Sequence, residues 1–421
     1  MRRLLLAVFW ITFLGGTALG QTPSPPAGQE ELVKTLLERI DKLERRVNEL
    51  ENKLACAPQP CPTDAKLLMA SAVDPPAPAP QNATMQEHPE HNMPVVEQST
   101  FPSMQIRGFG DVDFSATDQK GTTSGFDLGQ FVLHIASPLS KKVSYFGEIS
   151  FTARADGYNL EVERTLIRYD YDDYFKISFG KYHTPVNYWN TEFHHGLWLQ
   201  TTISRPEMVQ FGGRFIPVHF VGLLDEGEIP SGGAGLNYQV GMGNGRAAII
   251  SRAGDSGDIN NNRAWVVNLF SKPRQIYGLQ VGGSLYGDEI TTPTAPRMKE
   301  LISAVHFVWT RETPEFLSEF ANVHHRDTNT GQTFNSQAYY IQVAYRLPWL
   351  EKKWKPYYRF EYIHAPKGEP VLEGTNLVES TAGVRFDISE FAAFKTEYRS
   401  TKRGTNEPRF NGAFLQTCFT F

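Results

Sequence analysis

The sequence predicts an all-β membrane protein: an antiparallel transmembrane β-barrel of about 16 strands, preceded by a short α-helical coiled coil. Three observations carry that expectation. The chain opens with an export segment. From residue 104 onward it is a series of short runs alternating apolar and polar side chains. The last of these runs reaches an aromatic residue, Phe421.

The export segment comes first. Arg2 and Arg3 supply a positive start, Leu4 to Leu14 an apolar run, and Ala18 and Gly20 the small residues of a cleavage site. Residues 1–20 therefore read as a signal peptide, with Gln21 the first mature residue and 21–29 a short tail. The apolar run is too short to span a bilayer as a helix. Cys56 and Cys61, either side of Ala57-Pro58-Gln59-Pro60, are spaced for a local or an intermolecular disulfide. A metal site there lacks further ligands.

Composition narrows the class. The formal net charge of −5 gives no global basic field, which excludes a nucleic-acid partner on electrostatic grounds. After residue 20 no apolar stretch is long enough for a membrane helix. A barrel needs none, because its strands alternate lipid-facing and lumen-facing residues. No cofactor and no metal ion is implied.

Residues 30–54 carry a strict heptad. Val33, Ile40, Val47 and Leu54 fall at a, and Leu36, Leu43 and Leu50 at d. A seven-residue step without drift specifies a left-handed supercoil. Arg39 and Arg46 at g lie next to Glu44 and Glu51 at e of a parallel partner. β-Branched a positions with Leu at d favour two strands. Arg39-Ile40-Asp41-Lys42-Leu43-Glu44 instead resembles the short trimerisation motif of coiled coils, which favours three. The same segment is a candidate contact with the cell wall. Residues 55–100 form a Pro/Ala-rich linker centred on Pro75-Pro76-Ala77-Pro78-Ala79-Pro80, semi-extended and with little to bury. Its Glu87-His88-Pro89-Glu90-His91 stretch reads as solvated chain.

Residues 101–421 form the barrel domain. Val143, Tyr145, Gly147, Ile149 and Phe151 alternate with Ser144, Phe146, Glu148, Ser150 and Thr152; Tyr339, Ile341, Val343 and Tyr345 alternate with Tyr340, Gln342, Ala344 and Arg346. The expected strands lie near 104–114, 126–136, 143–153, 160–169, 174–182, 214–224, 234–243, 263–271, 276–287, 300–311, 315–325, 336–347, 354–364, 377–387, 391–400 and 410–421. Most are long enough to cross a bilayer when tilted. Connectors after even-numbered strands are usually short and those after odd-numbered strands longer, as between the two faces of an outer membrane. Asp225 to Gly233 breaks that rule and marks a place where a strand is miscounted or hidden.

The final run, Ala413, Leu415, Thr417, Phe419 and Phe421, resembles the C-terminal strand signal that barrel-assembly machinery reads, with Phe419 and Phe421 its aromatic residues. The segment Gly180-Lys181-Tyr182-His183-Thr184-Pro185-Val186-Asn187-Tyr188-Trp189-Asn190 looks like the strand-then-loop stretch of the phosphate-selective porin superfamily. The whole arrangement resembles that superfamily and related porins with an N-terminal coiled coil. The resemblance implies a homotrimer of 16-stranded barrels in outer-membrane lipid, a periplasmic coiled coil and passive diffusion of small hydrophilic solutes or ions. It does not imply phosphate selectivity. Residues 101–421 carry 32 Lys and Arg (41 in the chain less 9 before residue 101) against 34 Asp and Glu (46 less 12).

Loop 183–213 is the longest gap in the series, and porins fold such a loop inward as a constriction. Its candidate constriction residues are Tyr188, Trp189, His194, His195, Trp198, Arg205 and Glu207. Strand parity gives candidate pore-lining charges: Arg107, Asp111, Asp113, Glu148, Arg346, Arg359, Glu361, Arg385, Lys395, Glu397 and Arg399. The late-strand bases facing early-strand acids suggest a transverse field, and a salt-bridged wall is the equal alternative. His324 and His325 point to opposite faces and cannot readily share an ion. Two other classes compete. A barrel hydrolase would need a Ser/His/Asn or an acidic-His constellation, and no nucleophile motif such as Gly-x-Ser-x-Gly occurs. A structural tether would grip the cell wall through residues 30–54.

Overall fold

The computed structural model describes residues 101–193, 195–292 and 295–421, together with Lys42 and Arg45. The chain divides into two compact units, Met1–Ala77 and Pro78–Phe421. Lys42 and Arg45 are helical and exposed. They occupy outer c and f positions of the heptad. The apolar heptad positions, the linker and the export segment lie outside the described residues.

Sixteen antiparallel strands close into one barrel, each paired with its sequence neighbours and β1 paired with β16. The first six are β1 Gln105–Thr117, β2 Gly125–Pro138, β3 Val143–Arg154, β4 Gly157–Asp170, β5 Lys176–His183 and β6 His219–Ile229. Then come β7 Leu236–Asn244, β8 Ala264–Ser271, β9 Leu279–Thr292, β10 Ala295–Trp309 and β11 Glu315–Asp327. The last five are β12 Thr333–Ala344, β13 Trp354–His364, β14 Leu377–Asp387, β15 Ala392–Arg403 and β16 Phe410–Thr420. Closure satisfies every strand edge, which a bilayer interior demands because it offers no water to an open edge.

All sixteen expected segments are strands; β6 is displaced at both ends, β9 ends at Thr292 rather than at 287, and β10 begins at Ala295 rather than at 300. The displacement of β6 bears on the loop. That strand begins at His219 rather than at 214, and Asp225 belongs to its second half, so no hidden strand exists there. Phe215, Ile216 and Val218 look like strand residues but are buried in the barrel interior as part of the loop. Connector lengths also depart from strict alternation. Residues 155–156 are a tight link where a longer loop was expected, and 345–353 is long where a short turn was expected.

Parity sorts the two faces. On β11 the inward residues Glu315, Leu317, Glu319, Ala321, Val323, His325 and Asp327 are buried, with Phe316, Phe320 and Arg326 turned outward. Outward residues include Phe131, Leu160, Phe179, Val240, Leu269, Leu285, Val305, Ile341 and Tyr358, all exposed in the isolated chain. Such a continuous apolar outer face suits acyl chains rather than water. Exposed aromatics gather at the end where the chain enters and leaves the barrel: Tyr171, Tyr174, Tyr277, Trp349, Trp354, Phe391 and Phe421. Amphipathic rings prefer that interfacial depth. At the seam Phe421 exchanges backbone hydrogen bonds with Gly108, N to O distances 2.8 and 3.0 Å. A Cβ on Gly108 would lie 2.2 Å from the Phe421 ring. Gly108 thus makes room for the aromatic that completes the seam.

A loop threaded through the barrel interior

The connection from β5 to β6, residues 184–218, turns into the barrel. The turn starts in Thr184-Pro185-Val186-Asn187. Asn187 takes a left-handed φ of 62°, a conformation Asn tolerates better than most residues. Its backbone N–H donates to Ser284 Oγ on β9 (3.1 Å) and its amide to Phe320 O on β11 (3.3 Å). A short helix, α1 Trp189–Glu192, follows. Glu319 of β11 accepts the N–H groups of Tyr188 (3.0 Å) and Trp189 (2.5 Å) at its start.

Beyond α1 the loop runs along the inner wall of β11 to β15, held by side chains of alternating charge. Thr201 donates to Glu315 (2.9 Å), Ile203 N to Glu397 (2.6 Å) and Glu207 N to Glu361 (2.6 Å). Bases bind the loop carbonyls. Lys395 reaches Leu197 O (2.5 Å) and Thr202 O (3.0 Å); Arg385 reaches Trp198 O (2.7 Å) and Gln200 O (2.9 Å). Arg359 reaches Ser204 O (2.8 Å) and Arg205 O (3.3 Å), and also the hydroxyls of Thr202 and Ser204. Three bases thus satisfy six loop carbonyls, all buried or part-buried. Irregular backbone is tolerable at membrane depth only where protein partners replace water.

This geometry bears on the expected transverse field. Arg359, Arg385 and Lys395 are buried and committed to loop carbonyls. Arg359 and Arg385 also pair with Glu361 and Asp387, each at 2.7 Å. Arg346 pairs with Glu312 and Asp387. Burial raises the Glu312 carboxyl, but Lys355 and Arg346 outweigh it and hold it below the usual carboxylate range. The late-strand bases form a paired scaffold for the loop instead of an open basic wall.

The remaining predicted residues fall as follows. Asp111 accepts Gln130 N (3.2 Å), and Asp113 accepts the Gln416 amide (2.9 Å). Arg399 pairs with Glu397 (2.5 Å) and lies 3.9 Å over the Phe414 ring. Glu207 pairs with Arg403 (2.9 Å). Arg107 sits at the exposed end of β1. Trp198 lies under the Arg385 guanidinium, 5.8 Å from it. His194 lies outside the described residues. His324 faces outward to Asn335 (3.1 Å), whereas His325 is buried between Glu300 (2.8 Å) and Glu369 (2.6 Å). The pair therefore splits across the sheet as expected, but His325 is an interior ion-pair centre.

Two features escaped parity reasoning. The inner wall from β8 to β12 is largely apolar, with Val266, Tyr286, Ile302, Val308, Leu317 and Tyr340 buried against the loop's Val186, Trp189, Val209, Phe215 and Ile216. A lumen was expected to be polar; here the loop supplies the apolar partner that makes such a wall stable. The second is a cluster on the opposite wall. Glu148 of β3 meets Arg164 (2.5 Å), His195 (3.0 Å), His134 (3.3 Å) and His183 (3.8 Å). Glu163 of β4 meets His195 (3.4 Å), His219 (3.3 Å) and Ser150 (2.7 Å). A bulge lets Glu163 and Arg164 share the interior: the register slips between Glu148 and Ile149 opposite them. No alternation pattern reveals such a pair.

The fold is a closed 16-stranded antiparallel barrel with a long loop in its interior. No family model and no curated protein sequence matches the chain. Solved structures do. The anion-selective porin from Comamonas acidovorans superposes with a TM-score of 0.57 at 10% identity, over 76% of this chain and 100% of that one. The outer-membrane channel DcaP of Acinetobacter baumannii gives 0.53 at 12%, over 77% and 99%. The trimer form of OmpT, an outer-membrane protein of Vibrio cholerae, gives 0.53 at 12%, over 76% and 99%. At such identities the likeness is one of fold.

Proposed function

We propose that the chain is a bacterial outer-membrane porin, a water-filled channel for passive diffusion of small hydrophilic solutes or ions, narrowed by loop 184–218. The observation that carries this reading is the loop itself, turned inward and fixed by β9, β11 and β13 to β15. A barrel of this strand number encloses an aqueous space unless something fills or narrows it. The long connection after an odd-numbered strand then starts from the cell exterior, and the aromatic end with the N-terminal segment faces the periplasm. The trimer form of the V. cholerae neighbour and the heptad of residues 30–54 support a homotrimer. Phosphate selectivity finds no support, because the interior bases nearest the loop are paired. A serine hydrolase would need a hydroxyl on a histidine, whereas Ser150 in the histidine cluster donates to Glu163.

Liposome swelling tests the reading. Proteoliposomes are expected to swell in isosmotic solutions of a small neutral sugar, at a rate falling steeply with solute size. Refolded, heat-modifiable protein that admits no sugar of any size would contradict it.

A further inference from the structure

We propose that the His134, His183, His195 and His219 cluster with Glu148 and Glu163 is a proton-operated latch on the loop, closed at neutral pH and released in acid. The inference rests on the channel reading. Release would widen the passage between the loop and the β2–β6 wall.

The loop has two attachments of different chemistry. On the β11–β15 wall the bonds run from guanidinium and ammonium groups to carbonyls, and from loop donors to carboxylates. None of those partners is an imidazole. On the β2–β6 wall the loop attaches through His195. Its Nδ1 hydrogen-bonds Glu148 Oε1 (3.0 Å), its Nε2 lies 3.4 Å from Glu163 Oε1, and its ring stacks on Phe211 at 4.4 Å. His134 from β2, His183 from β5 and His219 from β6 surround the same two carboxylates. His183 and His219 are cross-strand partners with ring centroids 5.9 Å apart. Imidazole is the side chain whose ordinary titration falls between about pH 5 and 8. Mild acid therefore acts on the loop's attachment to the β2–β6 wall through imidazole groups that the other wall lacks.

Charge counting gives the direction. With neutral imidazoles, Glu148 and Glu163 are balanced by Arg164 and by Arg205, which lies 4.0 Å over the Phe211 ring against the same cluster. The adjacent cation, Lys181 of β5, is paired with Asp255 at 2.9 Å. The third interior carboxylate facing Arg205, Glu319, is engaged by the Tyr188 and Trp189 amides. Three carboxylates thus face two guanidinium groups, so the first imidazolium balances the buried charge. Each further one of the four adds unbalanced positive charge to a largely buried site. Burying unbalanced charge is costly, and like charges at this spacing repel. The arrangement in which water reaches the cluster accepts protons more readily, so acid favours it.

The test is single-channel conductance at about pH 7.5 and about pH 5 for the full chain and for His195→Asn, the double variant His183→Asn/His219→Asn, and His306→Asn. His306 is an interior histidine outside the cluster, beside Gln280 and Tyr188. Acid is expected to raise conductance at least about twofold in the native chain and in His306→Asn, and to leave both cluster variants flat. A flat native profile, or an unaltered rise in His195→Asn, overturns the proposal. Hydrogen exchange of residues 190–212 in the native chain, normalised to denatured protein at each pH, gives a readout free of conduction and of variant folding. Faster exchange in acid is expected; unchanged protection overturns the latch. Absence of conductance at every pH would instead count against the channel reading and leave the exchange result to decide the latch.

Discussion

Replacing Arg359 by Ala is expected to loosen the loop and raise single-channel conductance. The Arg359 side chain is fully buried and paired with Glu361 at 2.7 Å. It also serves two loop carbonyls and two loop hydroxyls. Removing one partner of a buried pair leaves the other uncompensated, at a cost of about 3–5 kcal/mol. Glu361 would lose its bond to Arg359 and keep the one from the Glu207 amide. The barrel strands keep their ladders, so the loss falls on docking of residues 202–207. Arg359→Lys keeps the charge without the planar fork and is expected to lie between native and Ala. Conductance and current noise of the three proteins check this. Identical values in all three would show that Arg359 does not hold the loop.

Trp189→Ala is expected to be the most damaging single truncation in the loop. Trp189 is fully buried. Its ring lies 4.8 Å from Phe193 and 5.8 Å from Tyr340, so it joins α1 to the apolar wall. Truncating such a ring costs about 3–5 kcal/mol in transfer and cavity terms. The indole N–H has no hydrogen-bond partner among the described residues. Trp189→Phe therefore loses volume but no bond, and is expected to retain most of the stability. The temperature of the heat-modifiable gel shift distinguishes the two. Equal losses would mean that the indole nitrogen carries an interaction.

The barrel was legible in the sequence because its pattern is a consequence of lipid outside and backbone satisfaction within. Each strand repeats one rule, and slipping a strand by one residue would send Glu148 or Arg359 into lipid. That constraint placed all sixteen segments and, with a bulge or two, the inward residues. The loop obeys no such period. Phe215, Ile216 and Val218 form an apolar run that reads as strand, and only the three-dimensional interior distinguishes a strand from chain packed inside it. The same holds for interior chemistry. Parity picked out Arg359, Arg385 and Lys395, yet whether they face water or a carbonyl depends on where the loop lies. Glu315 and Glu319 were open to the same parity argument, but Leu317, Ala321 and Val323 on that face concealed it. The histidine cluster is assembled from five strands, β2 to β6, and the loop, so no local spacing announces it.

Conductance of the purified, folded protein in a planar bilayer under asymmetric salt tests the proposed channel most directly. Discrete openings are expected, in groups of three for a trimer, with a current set by the residual passage beside loop 184–218. A heat-modifiable barrel that inserts and carries no current would contradict the channel.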